Sequence, residues 1–290
     1  MKRYLFNFLL FVVVITSIKC STDDSNEIKS ERKLVLKTTQ IADTPIVYNY
    51  DTSGRFINIE DTISVFPEVV RLRESVYNKN GQKVRDIFRR EKDFIAGKIQ
   101  YIYNTEDQIT KIVRSSFNVF SLLPKITTST LTYNDNQIVS ISNIDKKNLY
   151  KMIYTFRDNT YQNLERFEAF DYESNDLVFE ETYQYSPNGN LIANEVLTGE
   201  DDFNKSKSFI YDDKINPLSE GSENHYLDLL RNPAPASLVS RLIPLSTNNS
   251  LTSIIEGAEI AFEYNAKSYP IVKTTIYKDD RKDILLFSYY

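Results

Sequence analysis

His225 and Cys20 are the only histidine and the only cysteine among 290 residues. The two usual ways of activating a nucleophile or holding a transition metal therefore have one residue each to draw on. A serine or cysteine nucleophile needs an imidazole or a similar base beside it, and a structural zinc site needs about four nitrogen or sulfur ligands. His225 stands in "SENHYLDLLRN" with no matching motif nearby. Carboxylates are plentiful and occur as neighbours at Glu180-Glu181, Glu200-Asp201-Asp202, Asp212-Asp213 and Asp279-Asp280. Glycoside cleavage needs two carboxyl groups facing each other in one cleft, whereas adjacent residues of a strand point to opposite faces. The groups at 200, 212 and 279 also fall in turn-like stretches, where acidic residues are ordinary. Asp201, Asp202 and Asp213 offer oxygen ligands for calcium, but the loop spacing of an EF-hand is missing. Seven scattered glycines form no phosphate-cradling loop. The expectation is a chain with no catalytic residue, no cofactor and no metal site.

The abundant residues with chemistry are aromatic: 20 Tyr and 17 Phe, with no Trp. They recur in a unit. "SVYNKNGQKV" starts at Ser75, "YIYNTEDQITKI" at Tyr101, "LTYNDNQIVSI" at Leu131 and "YQYSPNGNLIA" at Tyr183. The last aromatic of each opening stretch falls at Tyr50, Tyr77, Tyr103, Tyr133, Phe156, Tyr185, Tyr211 and Tyr264, at intervals of 27, 26, 30, 23, 29, 26 and 53 residues. The final interval is two units wide, as if one unit had been replaced or lost. Aromatic side chains on an exposed sheet can stack on sugars or hold peptides, which makes Tyr103, Tyr133, Tyr185 and Tyr211 a candidate ligand platform. A tyrosine just before every turn is also what a cross-strand ladder that fixes register requires.

What must position these tyrosines is a hairpin. The opening stretch alternates with a period of two, as in Phe179, Glu181, Tyr183 and Tyr185 against Val178, Glu180, Thr182 and Gln184. Turn formers follow, most sharply Asn80-Gly81 and Asn188-Gly189. An aliphatic or aromatic residue (Phe56, Val84, Ile109, Ile138, Leu191) then restarts the return strand. The fold expected for residues 34 to 290 is one all-β domain. It is an antiparallel meander of repeated hairpins, roughly 14 to 18 strands, curling into a large twisted or partly closed sheet. One stretch has another texture. Around 222–243, Ser222 offers an N-cap and Tyr226, Leu229 and Leu230 have helical spacing, until Pro233 and Pro235 stop the helix. This predicts a short helical excursion that forms a lid or plug, or that covers an open sheet end.

The unit resembles the YD repeats of RHS-type shell proteins, with Tyr48-x-Tyr50-Asp51 and Gly54 the nearest match. The chain resembles more closely a family of Bacteroidota lipoproteins built from degenerate YD-like hairpins. The likeness covers most of residues 45 to 280 and includes "YDDKINPL" from Tyr211 and the pair Asn248-Asn249. It implies a fold and brings no catalytic residue with it.

The N-terminus carries an address. Lys2 and Arg3 precede an apolar run from Tyr4 to Ile18, too short to cross a bilayer comfortably. Cys20 follows where a lipoprotein signal peptidase requires its cysteine, so the segment resembles a bacterial lipobox, with Lys19 where a small residue is usual. The expectation is a signal peptide at 1–19, lipid on Cys20, and an acidic tether at 20–33 ("STDDSNEIKSERK" after the cysteine). Acidic residues behind the cysteine also resemble the export signal of surface lipoproteins. This implies an outer-membrane protein at the cell surface, with the periplasmic face as the alternative. Loss of Lys2, Arg3 and Lys19 from 35 basic residues leaves 32 against 40 acidic ones, a net charge of −8. Such a surface makes a poor partner for nucleic acid. The functions left open are a non-catalytic binder of a glycan, peptide or envelope protein and a structural or assembly lipoprotein. A carboxylate-dependent glycoside hydrolase is disfavoured by the placement of the acidic pairs.

Overall fold

The computed structural model describes residues 33–38, 45–50, 56–63, 69–90, 94–117, 124–145, 147–198, 206–216, 219, 225–231, 233–253 and 257–289. The expected signal peptide, Cys20 and all of the tether but Lys33 lie outside the described residues. The chain runs through β1 (Lys33–Thr38), β2 (Pro45–Tyr50), β3 (Phe56–Ile63), β4 (Val69–Tyr77), β5 (Lys83–Arg89), β6 (Ile95–Tyr103) and β7 (Ile109–Ser116). It continues with β8 (Lys125–Asn134), β9 (Gln137–Ile144), β10 (Lys147–Phe156), β11 (Leu164–Asp171), β12 (Leu177–Tyr185), β13 (Leu191–Thr198) and β14 (Lys207–Ser208). Next come β15 (Tyr211–Ile215), helices α1 (His225–Leu230) and α2 (Val239–Leu242), a 3₁₀ turn (Ile243–Leu245) and β16 (Asn248–Ser250). The last strands are β17 (Glu259–Tyr264), β18 (Pro270–Ile276) and β19 (Lys282–Tyr289).

Strands β1 to β14 each pair antiparallel with the next, and β17, β18 and β19 do the same. Strand β1 also pairs with β19, Leu36 opposite Phe287, so 17 strands form one sheet that begins at β17 and ends at β14. This is the expected all-β meander, and it is not a closed barrel. The two edges meet along a seam built by the small β15–β16 sheet. There the Phe209 N–H donates to Ile192 O and the Leu251 N–H to Ile210 O, both at 2.8 Å, and Thr252 bridges to Glu259.

The expected alternation sets the faces. In β6, Gly97, Ile99 and Tyr101 are buried while Lys98, Gln100 and Ile102 are not. In β12, Phe179, Glu181 and Tyr183 are buried and Glu180 is less so. The core forms where inward residues of β6 to β13 meet α1 and α2. Tyr154, Phe156, Phe167, Leu229, Leu230 and Leu238 are fully or almost fully enclosed. Rings follow one another across strands, Tyr154 to Phe167 at 5.0 Å and Phe167 to Phe179 at 5.8 Å. Small inward residues, Ser129, Ser140 and Ser142, leave room for the helices.

The excursion is therefore a plug against the buried face of the sheet, and the wide interval in the repeat has a specific meaning. Tyr211 does not close a hairpin as the other anchors do; it opens β15, whose partner β16 lies beyond the plug. The unit at Tyr211 is thus a hairpin with residues 216–247 in place of its turn. Ser222, the expected N-cap, lies outside the described residues. His225 opens α1, and its side chain also lies outside them.

Candidate functional site

The turns at the tyrosine end follow one design. Asn78 Oδ1 accepts from the N–H groups of Asn80 and Gln82, Asn104 Oδ1 from Glu106 and Gln108, and Asn265 Oδ1 from Lys267 and Tyr269, all at 2.9–3.1 Å. One residue in each then turns left-handed: Gly81 (φ 80°), Asp107 (62°) and Ser268 (64°). Register slips by one residue at the anchor in six hairpins, at Tyr50, Tyr77, Tyr103, Phe156, Tyr185 and Tyr264. Such a bulge re-aims the side chain that follows it. The rings of Tyr103 and Tyr133 lean back over the preceding hairpin.

That geometry decides what the four candidate tyrosines touch. Tyr103 donates its hydroxyl to Lys83 O at 2.8 Å and Tyr133 to Ile109 O at 3.0 Å, each the first residue of the preceding return strand. Tyr185 buries its hydroxyl beside Leu164, the first residue of β11, without a hydrogen bond of good geometry. Tyr211 accepts from Ser246 Oγ at 3.1 Å. Phe156 has no hydroxyl, and Tyr161 from the following loop takes over, stacking edge-on against Phe156 and Tyr133 and donating to Asp135 O at 2.9 Å. All four candidates are half-buried and pack against the core. All four sit at or next to a strand end, where a ring stays partly exposed to water.

Of the four, Tyr185 lines a cavity of about 280 Å³. Its other walls are Gln162 and Asn163 from the loop after β10, Asn188 and Gly189 from the β12–β13 turn, and Ser219, Ser246 and Thr247 from the two ends of the plug, with Leu242 and Leu245 behind. The turn is held open for it. Gly189 adopts φ 85°, a conformation side-chain-bearing residues rarely take. Asn188 and Asn190 donate to Asn248 Oδ1 at 3.1 and 2.8 Å, and Thr247 Oγ1 donates to Asn188 O at 2.9 Å. Thr247 and Asn248 thus lock the plug's exit to a hairpin about 60 residues earlier. The lining carries amides, hydroxyls and one aromatic ring, and no charged side chain among the described residues.

The carboxylates fall elsewhere. Glu180 and Glu181 point to opposite faces, Glu181 buried and Glu180 bonded to Arg166 at 2.6 Å. Asp213 is exposed beside Lys214, Asp279 and Asp280 sit in an exposed turn, and Glu200, Asp201 and Asp202 lie outside the described residues. Among the described residues no three His, Cys, Asp or Glu groups are placed to hold a metal ion. The cavity residues Gln162, Asn163 and Thr247 carried no signal of their own in the sequence, and Asn188 signalled a turn.

No family model and no curated protein matches the chain. Among solved structures it is similar to a porin-like protein from Bacteroides uniformis, 13% identical, with 91% of this chain on 98% of that one at a TM-score of 0.46. A porin-like protein from Bacteroides vulgatus is 12% identical, 89% on 97%, at 0.41. The Photorhabdus luminescens Tc holotoxin pore is 10% identical over 84% of this chain and 19% of its own, at 0.26. At TM-scores below 0.5 these likenesses assign neither family nor function.

Proposed function

We propose that this chain is a non-catalytic lipoprotein of the cell envelope, anchored through lipid on Cys20 and displayed at the outer-membrane surface, and that it binds a glycan. The observation that carries the binding reading is the cavity beside Tyr185. Neutral amides and hydroxyls converging on one aromatic ring supply the hydrogen bonds and the apolar face that a sugar requires. Anchoring by lipid rather than by the sheet accords with the outward faces. Arg85, Lys111, Arg166 and Glu195 all project to solvent from strands, where a membrane-spanning sheet would carry an apolar band.

A glycan and peptide array probed with the whole chain tests the binding. Saturable glycan binding that weakens in Gln162→Ala and Asn163→Ala supports it; binding indifferent to both variants, or peptide binding alone, overturns it. A second reading, a structural role in envelope assembly, draws on the tyrosine hydroxyls of Tyr103 and Tyr133, which are spent on the protein's own backbone. An array silent throughout moves weight to that reading. Cys20→Ala tests the anchor. The variant should leave the membrane fraction and take up no fatty-acid label, and label retained by it would overturn the lipid assignment.

A further inference from the structure

A second cavity, of about 310 Å³, lies between the half-buried inward face of β17–β19 and the plug. Its floor is set by register: Phe262 on β17 stands opposite Lys273 on β18, which stands opposite Leu285 on β19. Ile260 and Phe287 extend the apolar wall, and Pro244 closes it from the plug side. Hydroxyls and amides, among them Ser240, Asn249, Ser250, Thr252 and Thr275, line the rest, and the sequence places one ammonium group in the cavity. Lys273 is largely withdrawn from water, and that burial lowers its pKa. Its Nζ lies over the face of the Phe262 ring, 6.0 Å from the centroid. Among the described residues no carboxylate forms an ion pair with it.

Two carboxylates bonded to lining residues are engaged by neutral donors. Asp283 accepts from the Tyr277 hydroxyl, and Asp212 from the Tyr264 hydroxyl and from Asn249. A cation taken from water without a counter-charge is a standing cost, which an anion entering the same space would relieve. We infer that this cavity binds a small monoanion with an apolar tail, its carboxylate paired with Lys273 and its tail against Phe262, Leu285 and Phe287. One fixed positive charge matches one negative charge, and a cavity at the small end of ligand sites suits a short tail. The site stands apart from the amide-lined cavity and does not depend on the glycan reading.

Calorimetric titration of the full chain with octanoate, octanol and octylamine reads the charge requirement directly, without a variant. Octanoate should bind saturably and at least tenfold more tightly than the other two. Lys273→Met, which keeps the stem and removes the charge, should weaken octanoate at least tenfold and leave octanol unchanged. Without ligand, that variant should melt at or above the parent's temperature, since it deletes an unpaired buried charge. Octanoate should raise the melting temperature of the parent and not of the variant. Equal binding of octanol or octylamine, no saturable octanoate heat, or full octanoate binding by Lys273→Met would each overturn the assignment.

Discussion

Two buried carboxylates fasten the plug to the sheet, and they do so by opposite means. Asp86 on β5 is surrounded by charge. It accepts from Ser75 Oγ at 2.6 Å and Tyr101 OH at 2.7 Å, and pairs with Arg73 at 3.2 Å, Arg231 at 3.5 Å and Lys83 at 3.9 Å. Arg231 follows α1, so this cluster holds the helix from one side. Beside it Arg114 donates to the carbonyls of Leu230 and Arg231, both at 2.7 Å, filling acceptors that a helix end leaves open. Glu181 on β12 has no cation among the described residues. Its oxygens accept from Tyr183 OH, Asn194 Nδ2 (2.6 Å), Ser237 Oγ (2.9 Å) and the Leu238 N–H (3.2 Å), the last two at the entry to α2. Burial pushes both acids up. At Asp86 the charges of Arg73, Lys83 and Arg231, with the Ser75 hydroxyl, outweigh it and hold the group below its usual 3.8. At Glu181 four neutral donors do not, and the group stays above its usual 4.5. In this sheet the buried carboxylate accompanied by fixed cations is the easily ionised one, and the one held by neutral donors is not.

The comparison breaks most visibly at Asp86. Asp86→Ala leaves three cations facing an apolar methyl group and should cost about 3–5 kcal/mol, read as a fall in the urea midpoint. A loss below about 1 kcal/mol would mean that the cations find other partners. Glu181→Gln should cost less, about 1–3 kcal/mol, because it strands the Leu238 N–H against an amide but leaves no charge unpaired.

The two acids also oppose each other in pH. Above 4.5 the unfolded chain releases the Glu181 proton while the folded chain keeps it, so stability falls as pH rises toward the raised folded value. The contribution of Asp86 is present above 3.8 and is lost as pH falls through its lowered value. Glu181→Gln should remove the first slope and keep the second, so its cost relative to the parent should be smaller at neutral pH than near pH 4. Equal cost at both would show that Glu181 titrates normally. The smallest effects belong to the ladder. Tyr103→Phe and Tyr133→Phe each remove one hydroxyl from a backbone carbonyl at a half-buried site and should cost about 0.5–1.5 kcal/mol. Unchanged midpoints in both would make the reach-back hydrogen bonds incidental.

Much of this was open to reading from the chain alone, because hairpins are local. Alternation and turn residues lie within a few residues of the contacts they specify, and Tyr103 and Tyr133 within one repeat of theirs, so the meander and its turn ends could be derived. The cavities could not. Asn188 and Thr247 meet from 59 positions apart, and nothing in "SPNGN" distinguishes a turn that faces solvent from one that meets a plug. Lys273 was hidden for a related reason: in "PIVKTTI" it alternates with Thr275 and is read with the polar face, yet β18 turns that face toward Phe262 and Leu285.

By itself, then, the sequence determined the repeat, the strand faces, the turns at Asn80-Gly81 and Asn188-Gly189, and the break in rhythm around 222–243, all set by backbone preference and side-chain period over short spans. Tertiary structure alone decided that β1 would pair with β19, that the excursion would pack inward as a plug, and that Asp86 and Arg231 would meet. Those choices rest on which apolar surfaces find each other across long separations and on which buried charges are compensated when they do, and neither quantity is written in any one stretch of chain.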